Sequence, residues 1–232
     1  MQPELYDTLD GQVALVTGAN RGIGREVARE LAALDATVYA GVRDADHEVP
    51  DGTQPVVLDV TDESTLERAV DEVASTAGGL DVLVNNAGVG GAGTTLDEIE
   101  TETLDQVLDV NTRGPMLLTK HALPHLLDGE GGRVVNVSSG LGILSDPIDG
   151  DHPAYRVSKA GINGLTVTLD VSHADEGLIA NSVDPGWVAT ELGGSQAPRD
   201  PEKGAETPVW LARFAPGSPS GLFWKDREVI EY

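Results

Sequence analysis

Cysteine is absent from the 232 residues, which excludes disulfides and thiolate metal centres. Lysine is nearly absent: Lys120, Lys159, Lys203 and Lys225 are the only four, and Lys plus Arg total 15 against 39 Asp plus Glu, a net charge of −24. A field of that sign repels nucleic acid, so no nucleic-acid partner is expected. The acids are spread along the chain rather than gathered in a tail, which predicts an acidic folded surface. Such a surface suits the cytoplasm of a salt-accumulating microbe, where the screening length falls to about 3 Å at 1 M. An acidic protein from an ordinary cytoplasm is the competing reading. Long apolar runs are also missing, so no membrane span is expected. The opening MQPELYDTLD has neither the basic head nor the apolar body of a secretory signal, and a cytoplasmic location is expected. Of five histidines only His121 and His125 have helical spacing, with Pro124 between them and no carboxylate motif beside them, so no metal site is expected.

Apolar β-branched runs alternate with amphipathic stretches: VALV then REVARELAAL, TVYAGV, PVVLDV then ESTLERAVDEVAST, LDVLVNN then a long helical stretch around 102–127, GRVVNVSS then AYRVSKAGINGLTVTLDVS, and LIANSVDPG. Alternation of this kind predicts one α/β domain with a parallel sheet covered by helices on both faces. One crossover, RDADHEVPDGTQ, is short and holds Pro50 and Gly52, so a loop is expected there in place of a helix. The stretch VALVTGANRGIG places Gly18, Gly22 and Gly24 between the first strand and the first helix. Three glycines there serve either a tight turn or a phosphate lying against bare backbone N–H groups at a helix N-terminus.

TGANRGIG at that turn is followed by Asn85-Asn86-Ala87-Gly88, Asn111, Ser138-Ser139, Tyr155-Arg156-Val157-Ser158-Lys159 and Asp184-Pro185-Gly186. Six pieces in this order resemble the short-chain dehydrogenase/reductase family, and the likeness covers nearly the whole chain. The C-terminal VDPGWVATELGG and EKGAETPVWLA resemble its carbonyl-reductase branch. The resemblance implies a single Rossmann-type doubly wound domain over 1–232, a sheet of about seven strands, and a lid around 190–208. It implies NADP(H)- or NAD(H)-dependent hydride transfer on a small-molecule carbonyl or secondary alcohol, an apolar or aromatic one by class. Other activities of the family, such as alcohol oxidation or epimerisation, and a redox sensor without turnover are the alternatives.

In that resemblance Gly18, Asn20, Arg21, Gly22, Ile23 and Gly24 hold the pyrophosphate end of the cofactor. Asp59 and Val60 flank adenine, with Asp59 equally readable as the cap of the next helix. Asn86, Ala87 and Gly88 lie beside the ribose, Pro185, Gly186 and Val188 beside the nicotinamide, and Thr190 on its carboxamide. Arg43, at the end of the second strand, and Arg21 match positions associated with a 2′-phosphate, which favours NADP(H) over NAD(H). Asp44 is the rival acid for a 2′-hydroxyl, and either arginine is otherwise a solvated surface residue. Tyr155 is the expected proton donor and Ser139, with Ser138 as rival, the hydrogen-bond donor to the same oxygen. Lys159 lies four residues from Tyr155 on one helix face and is expected to favour phenolate and hold the nicotinamide ribose. Asn111 is expected to organise a water. Ile143, Leu144, Trp187 and Leu192 are the expected apolar contacts of the substrate. The resemblance implies a homodimer or homotetramer through the long helix and the Tyr155 helix, whose apolar faces would otherwise be exposed.

Overall fold

A strand buried on both faces shows no polar alternation, and β1 (Val13–Thr17) is buried at every position. Val13 and Leu15 enter one apolar cluster and Ala14 and Val16 the opposite one, so the sheet separates two cores. The computed structural model describes residues 3–91, 93–145 and 150–232. Around β1 lie β2 (Thr37–Val42), β3 (Thr53–Val57), β4 (Val82–Asn85), β5 (Arg133–Val137), β6 (Ile179–Val183), β7 (Leu222–Lys225) and β8 (Glu228–Ile230), in the order β3-β2-β1-β4-β5-β6-β7-β8. The pairs up to β6–β7 are parallel and β7–β8 is antiparallel. The doubly wound α/β class is therefore as expected, with eight strands in place of about seven. The added strand comes from a hairpin whose turn, Asp226-Arg227, has positive φ at both residues (51° and 65°) and carries no glycine to announce it.

Helices α1 (Gly22–Ala33) and α6 (Pro201–Ala212) cover one face, where Val27, Leu31, Val209 and Leu211 meet Val16 and Val84. On the other face α2 (Glu63–Ala77) and α4 (Gly114–Asp128) bring Leu66, Val70, Leu118 and Leu126 onto Leu15 and Leu83. Asp62, not Asp59, caps α2 by accepting from the Ser64 N–H. The expected crossover loop between β2 and β3 is present.

The long helical stretch divides into α3 (Thr101–Leu108), a π-helical turn over Asp109–Arg113, and α4. One extra residue in the turn rotates the following helix and carries Asn111 inward, to 1% exposure. Helix α5 (Pro153–His173) carries Tyr155 and Lys159. The expected lid over 190–208 is corrected in extent. Residues 201–208 belong to α6, where Gly204, Ala205, Thr207 and Pro208 are buried, while a bridge between Val188 and Arg199 closes the loop before it. Among the described residues, no helix is long and apolar enough to cross a membrane.

Candidate active site

The strand order reverses at β1, which has β2 on one side and β4 on the other, and a cleft of about 1550 Å³ opens at the carboxyl ends of the strands there. Its first wall is backbone. Gly18 (φ 65°) and Gly22 (φ 54°) turn the chain from β1 into α1, whose N-terminus has no side-chain cap. The N–H groups of that first turn are left for whatever fills the cleft. Gly24 lies behind them: a Cβ there would meet the Gly18 carbonyl oxygen at 2.5 Å and the Asn86 amide nitrogen at 2.3 Å. The Asn86 Nδ2 donates to the Thr17 carbonyl at 2.8 Å, and the Thr17 hydroxyl accepts from the N–H groups of Asn86 and Ala87, both at 2.9 Å. Thr17 thus joins β1 to the turn after β4, a staple that its place in a buried run did not announce.

Asn20, Arg21, Gly22, Ile23, Arg43, Asp59, Val60, Asn86, Ala87, Gly88, Pro185, Gly186, Val188 and Thr190 all line the cleft. Arg43 is exposed and makes no hydrogen bond or ion pair among the described residues. Arg21 pairs with Glu191, both exposed, so the loop after β6 meets the glycine turn through a weak surface contact. The Asp44 carboxylate accepts from the Asp46 N–H, which ties it into its own turn. Asp59 accepts from the Thr61 N–H and hydroxyl.

The far end of the cleft brings together Ser139, Tyr155 and Lys159. The Ser139 side chain acts on the Tyr155 phenol, opposing part of the effect of its burial, and accepts from the Leu141 N–H at 3.1 Å. Ser138 is buried instead and donates to the Lys159 carbonyl at 3.2 Å, so its hydroxyl is taken up by the helix backbone. Lys159 is 4% exposed, and its Nζ donates to the Val137 carbonyl at 2.8 Å and lies 5.5 Å from the Tyr155 ring centroid. Here an expectation is reversed: burial pushes the Tyr155 phenol up to about 12, partly opposed by the Ser139 side chain and reinforced by the Asp184 carboxylate. Burial takes Lys159 down to about 8. Helical spacing put both groups on one face but turned the ammonium to a carbonyl, not to the phenol oxygen. The phenol consequently stays protonated at neutral pH.

The Asn111 side chain is held within the protein. Its Nδ2 donates to the Val89 carbonyl and the Ser158 hydroxyl, and its Oδ1 accepts from the Val89 N–H at 2.8 Å. Both side-chain donors are engaged by protein, so the side chain fixes the Gly88–Val89 turn beside Lys159. On the apolar rim, Trp187 and Leu192 line the cleft as expected, while Ile143 and Leu144 do not. The 3₁₀ turn Gly140–Gly142 presents Leu141 there, and Leu144 points to solvent at 73% exposure. Residues 146–149 of the segment before Tyr155 lie outside the described residues. His152, Asp184 and Lys225 also line the cleft and were not expected. His121 has Glu63 as its partner at 3.2 Å.

A family model for short chain dehydrogenases matches residues 12–200. The chain belongs to that family. It is 35% identical over 233 residues to the 3-oxoacyl-(acyl-carrier-protein) reductase of Thermotoga maritima, covering 96% of this chain and 89% of that one. The NADPH-bound carbonyl reductase from chicken fatty liver superposes with a TM-score of 0.85 at 27% identity, over 98% of this chain and 100% of that one. The 3-ketoacyl-(acyl-carrier-protein) reductase of Brucella melitensis in complex with NADH gives 0.85 at 26% identity, over 94% and 98%. Family members of known structure thus carry either nicotinamide cofactor, and the family resemblance drawn from the motifs is borne out.

Proposed function

We propose that this family member is an NADP(H)-dependent carbonyl reductase acting on apolar or aromatic ketones and aldehydes, or on the corresponding secondary alcohols in reverse. The observation that carries the reading is the placing of Ser139, Tyr155 and Lys159 on the wall of one cleft with the glycine turn. The glycine turn and the uncapped helix start suit the pyrophosphate of a dinucleotide, and Lys159, on the wall of the same cleft, would hold the nicotinamide ribose. When bound, the nicotinamide supplies or accepts the hydride. Tyr155 gives its proton to the carbonyl oxygen, and the Ser139 hydroxyl donates a hydrogen bond to that oxygen as charge develops on it. Lys159, charged below about pH 8, adds positive potential behind the phenol. Asn111 acts as a positioning residue through Val89 and Ser158.

NADP(H) is favoured over NAD(H) because Arg43 has no partner among the described residues while Asp44 is engaged by its own turn. NAD(H)-linked alcohol oxidation is the second reading, supported by the NADH complex of the Brucella relative. A panel of carbonyls and alcohols, followed by nicotinamide absorbance with each cofactor, tests the proposal. NADPH consumption on apolar ketones supports it; folded protein that binds NADPH and turns over nothing on the panel would favour a sensor.

The proposed assembly is a homodimer or homotetramer, supported by Val157, Val167 and Val171 standing 62%, 40% and 80% exposed on α5 and Met116 50% exposed on α4. Light scattering should give a multiple of 24.2 kDa, and a single species of that mass contradicts it. A salt-rich cytoplasm is proposed from the charge of −24. Thermal stability should then climb steeply toward molar salt, and a transition indifferent to salt would argue for an ordinary acidic protein.

A further inference from the structure

We propose that the β7–β8 turn is a clamp on the nicotinamide end of the cleft, with Lys225 and Asp226 as positioning residues that grip the Asp184-Pro185-Gly186 segment from two sides. The inference rests on the carbonyl-reductase reading for the identity of the ligand, and on the geometry of the turn for everything else.

Asp184 is only 4% exposed, although it is a carboxylate on the cleft wall. Its Oδ1 accepts from the Gly186 N–H at 2.9 Å, and its Oδ2 meets the Lys225 Nζ at 2.8 Å. A buried charge of this kind is tolerated only with a partner. The next residue, Asp226, takes Arg199 in a bidentate pair at 2.8 and 2.7 Å, and the same guanidinium donates to the Pro185 carbonyl at 3.3 Å. A Cβ at Gly186 (φ 78°) would meet that guanidinium at 2.8 Å, so the fit around the segment is close. Two successive residues of one turn therefore reach the same tripeptide, one directly through its acid and one through Arg199.

The turn carries a cost that the clamp explains. Asp226 and Arg227 both have positive φ, a conformation in which arginine is disfavoured and glycine is usual. Strain of this kind is retained where the surroundings hold it in place, often beside a functional site. The Asp184 carboxylate also acts on Tyr155, whose phenol it helps to keep protonated, so the clamped segment belongs to the reaction chamber.

Binding of NADPH is measured by quenching of protein fluorescence, with 2′,5′-ADP as a probe that fills only the adenosine end. Lys225→Met should weaken NADPH about tenfold or more, since a hydrogen bond to a charged group is lost behind the segment, and leave 2′,5′-ADP unchanged. Lys225→Arg should restore most of the loss. Asp226→Asn should weaken NADPH in the same direction by less, and decides the question alone where Lys225→Met does not fold. Arg227→Gly, which relaxes the turn and touches neither ion pair, should leave both ligands as in the parent. Equal weakening of NADPH and 2′,5′-ADP, or none of either, overturns the clamp. A parent protein that binds 2′,5′-ADP but not NADPH instead overturns the proposed function and leaves the clamp without its ligand.

Discussion

The two ends of the cleft are built from different material. At the glycine-turn end the wall is backbone: Gly18 lies against Asn86 and Ala87, Gly22 against Thr190, and the approach of Asn86 and the Gly18 carbonyl leaves no room for a Cβ at Gly24. At the other end the wall is side chain, with Trp187 and Leu192 57% and 50% exposed on the loop that precedes α6. A backbone wall recognises what every dinucleotide has in common, and it fails as a unit when one atom is added. A side-chain wall can be exchanged residue by residue, which suits the part of a site that selects among substrates.

The comparison breaks most severely at Gly24. Gly24→Ala forces a methyl group within 2.5 Å of a backbone oxygen and into the Asn86 amide, so loss of several kcal/mol of stability and of all measurable cofactor binding is expected. Denaturant unfolding and NADPH titration check this, and parent-like values in both would show that the wall is softer than described.

Lys159 gives the next largest effect, in the opposite direction. Its folded value lies near 8 against 10.5 for the free group, so below pH 8 the buried charge costs stability, on the order of 3 kcal/mol. Between about pH 8 and 10.5 the unfolded chain binds more protons than the folded one, and parent stability rises with pH. Cofactor-free Lys159→Met should therefore be more stable than the parent at pH 7, with an advantage that shrinks as pH rises through that window. Denaturant midpoints at several pH values show it; a variant less stable at neutral pH contradicts the assignment of cost to burial.

Arg43→Asp replaces the cation just after β2, which has no partner among the described residues. NADPH should lose about tenfold to a hundredfold in kcat/KM, in line with about 1.5–3 kcal/mol for a charge-assisted bond, while NADH loses little. An unchanged ratio of the two cofactors leaves the 2′-phosphate without its proposed partner. Trp187→Ala should be the mildest, raising KM for bulky ketones several-fold and leaving stability nearly as it was, because the indole is more than half exposed and donates only to the Gly193 carbonyl. A large loss with small aldehydes as well would move Trp187 from substrate selection to support of the fold.

What the sequence made legible follows the same division. The glycine turn, the alternation of strands and helices and the helix carrying Tyr155 and Lys159 are imposed by backbone geometry, which leaves glycines and periodicities in the text of the chain. The rim residue Leu141 was not legible, since a single 3₁₀ turn decides whether it or Ile143 and Leu144 face the cleft. Spacing placed Lys159 beside Tyr155 but could not show the ammonium held by Val137, and so it gave the phenol the wrong direction of shift. The pairing of Asp184 with Lys225 joins residues 41 positions apart through two strand ends, and only the folded sheet brings them together.

The central claim is that Tyr155 donates the proton. Tyr155→Phe retains the ring and removes the hydroxyl, so kcat for carbonyl reduction should fall about 10²–10⁴-fold with folding and the NADPH dissociation constant close to parent values. A folded, NADPH-binding Tyr155→Phe protein that reduces ketones at the parent rate in the same buffer would contradict it.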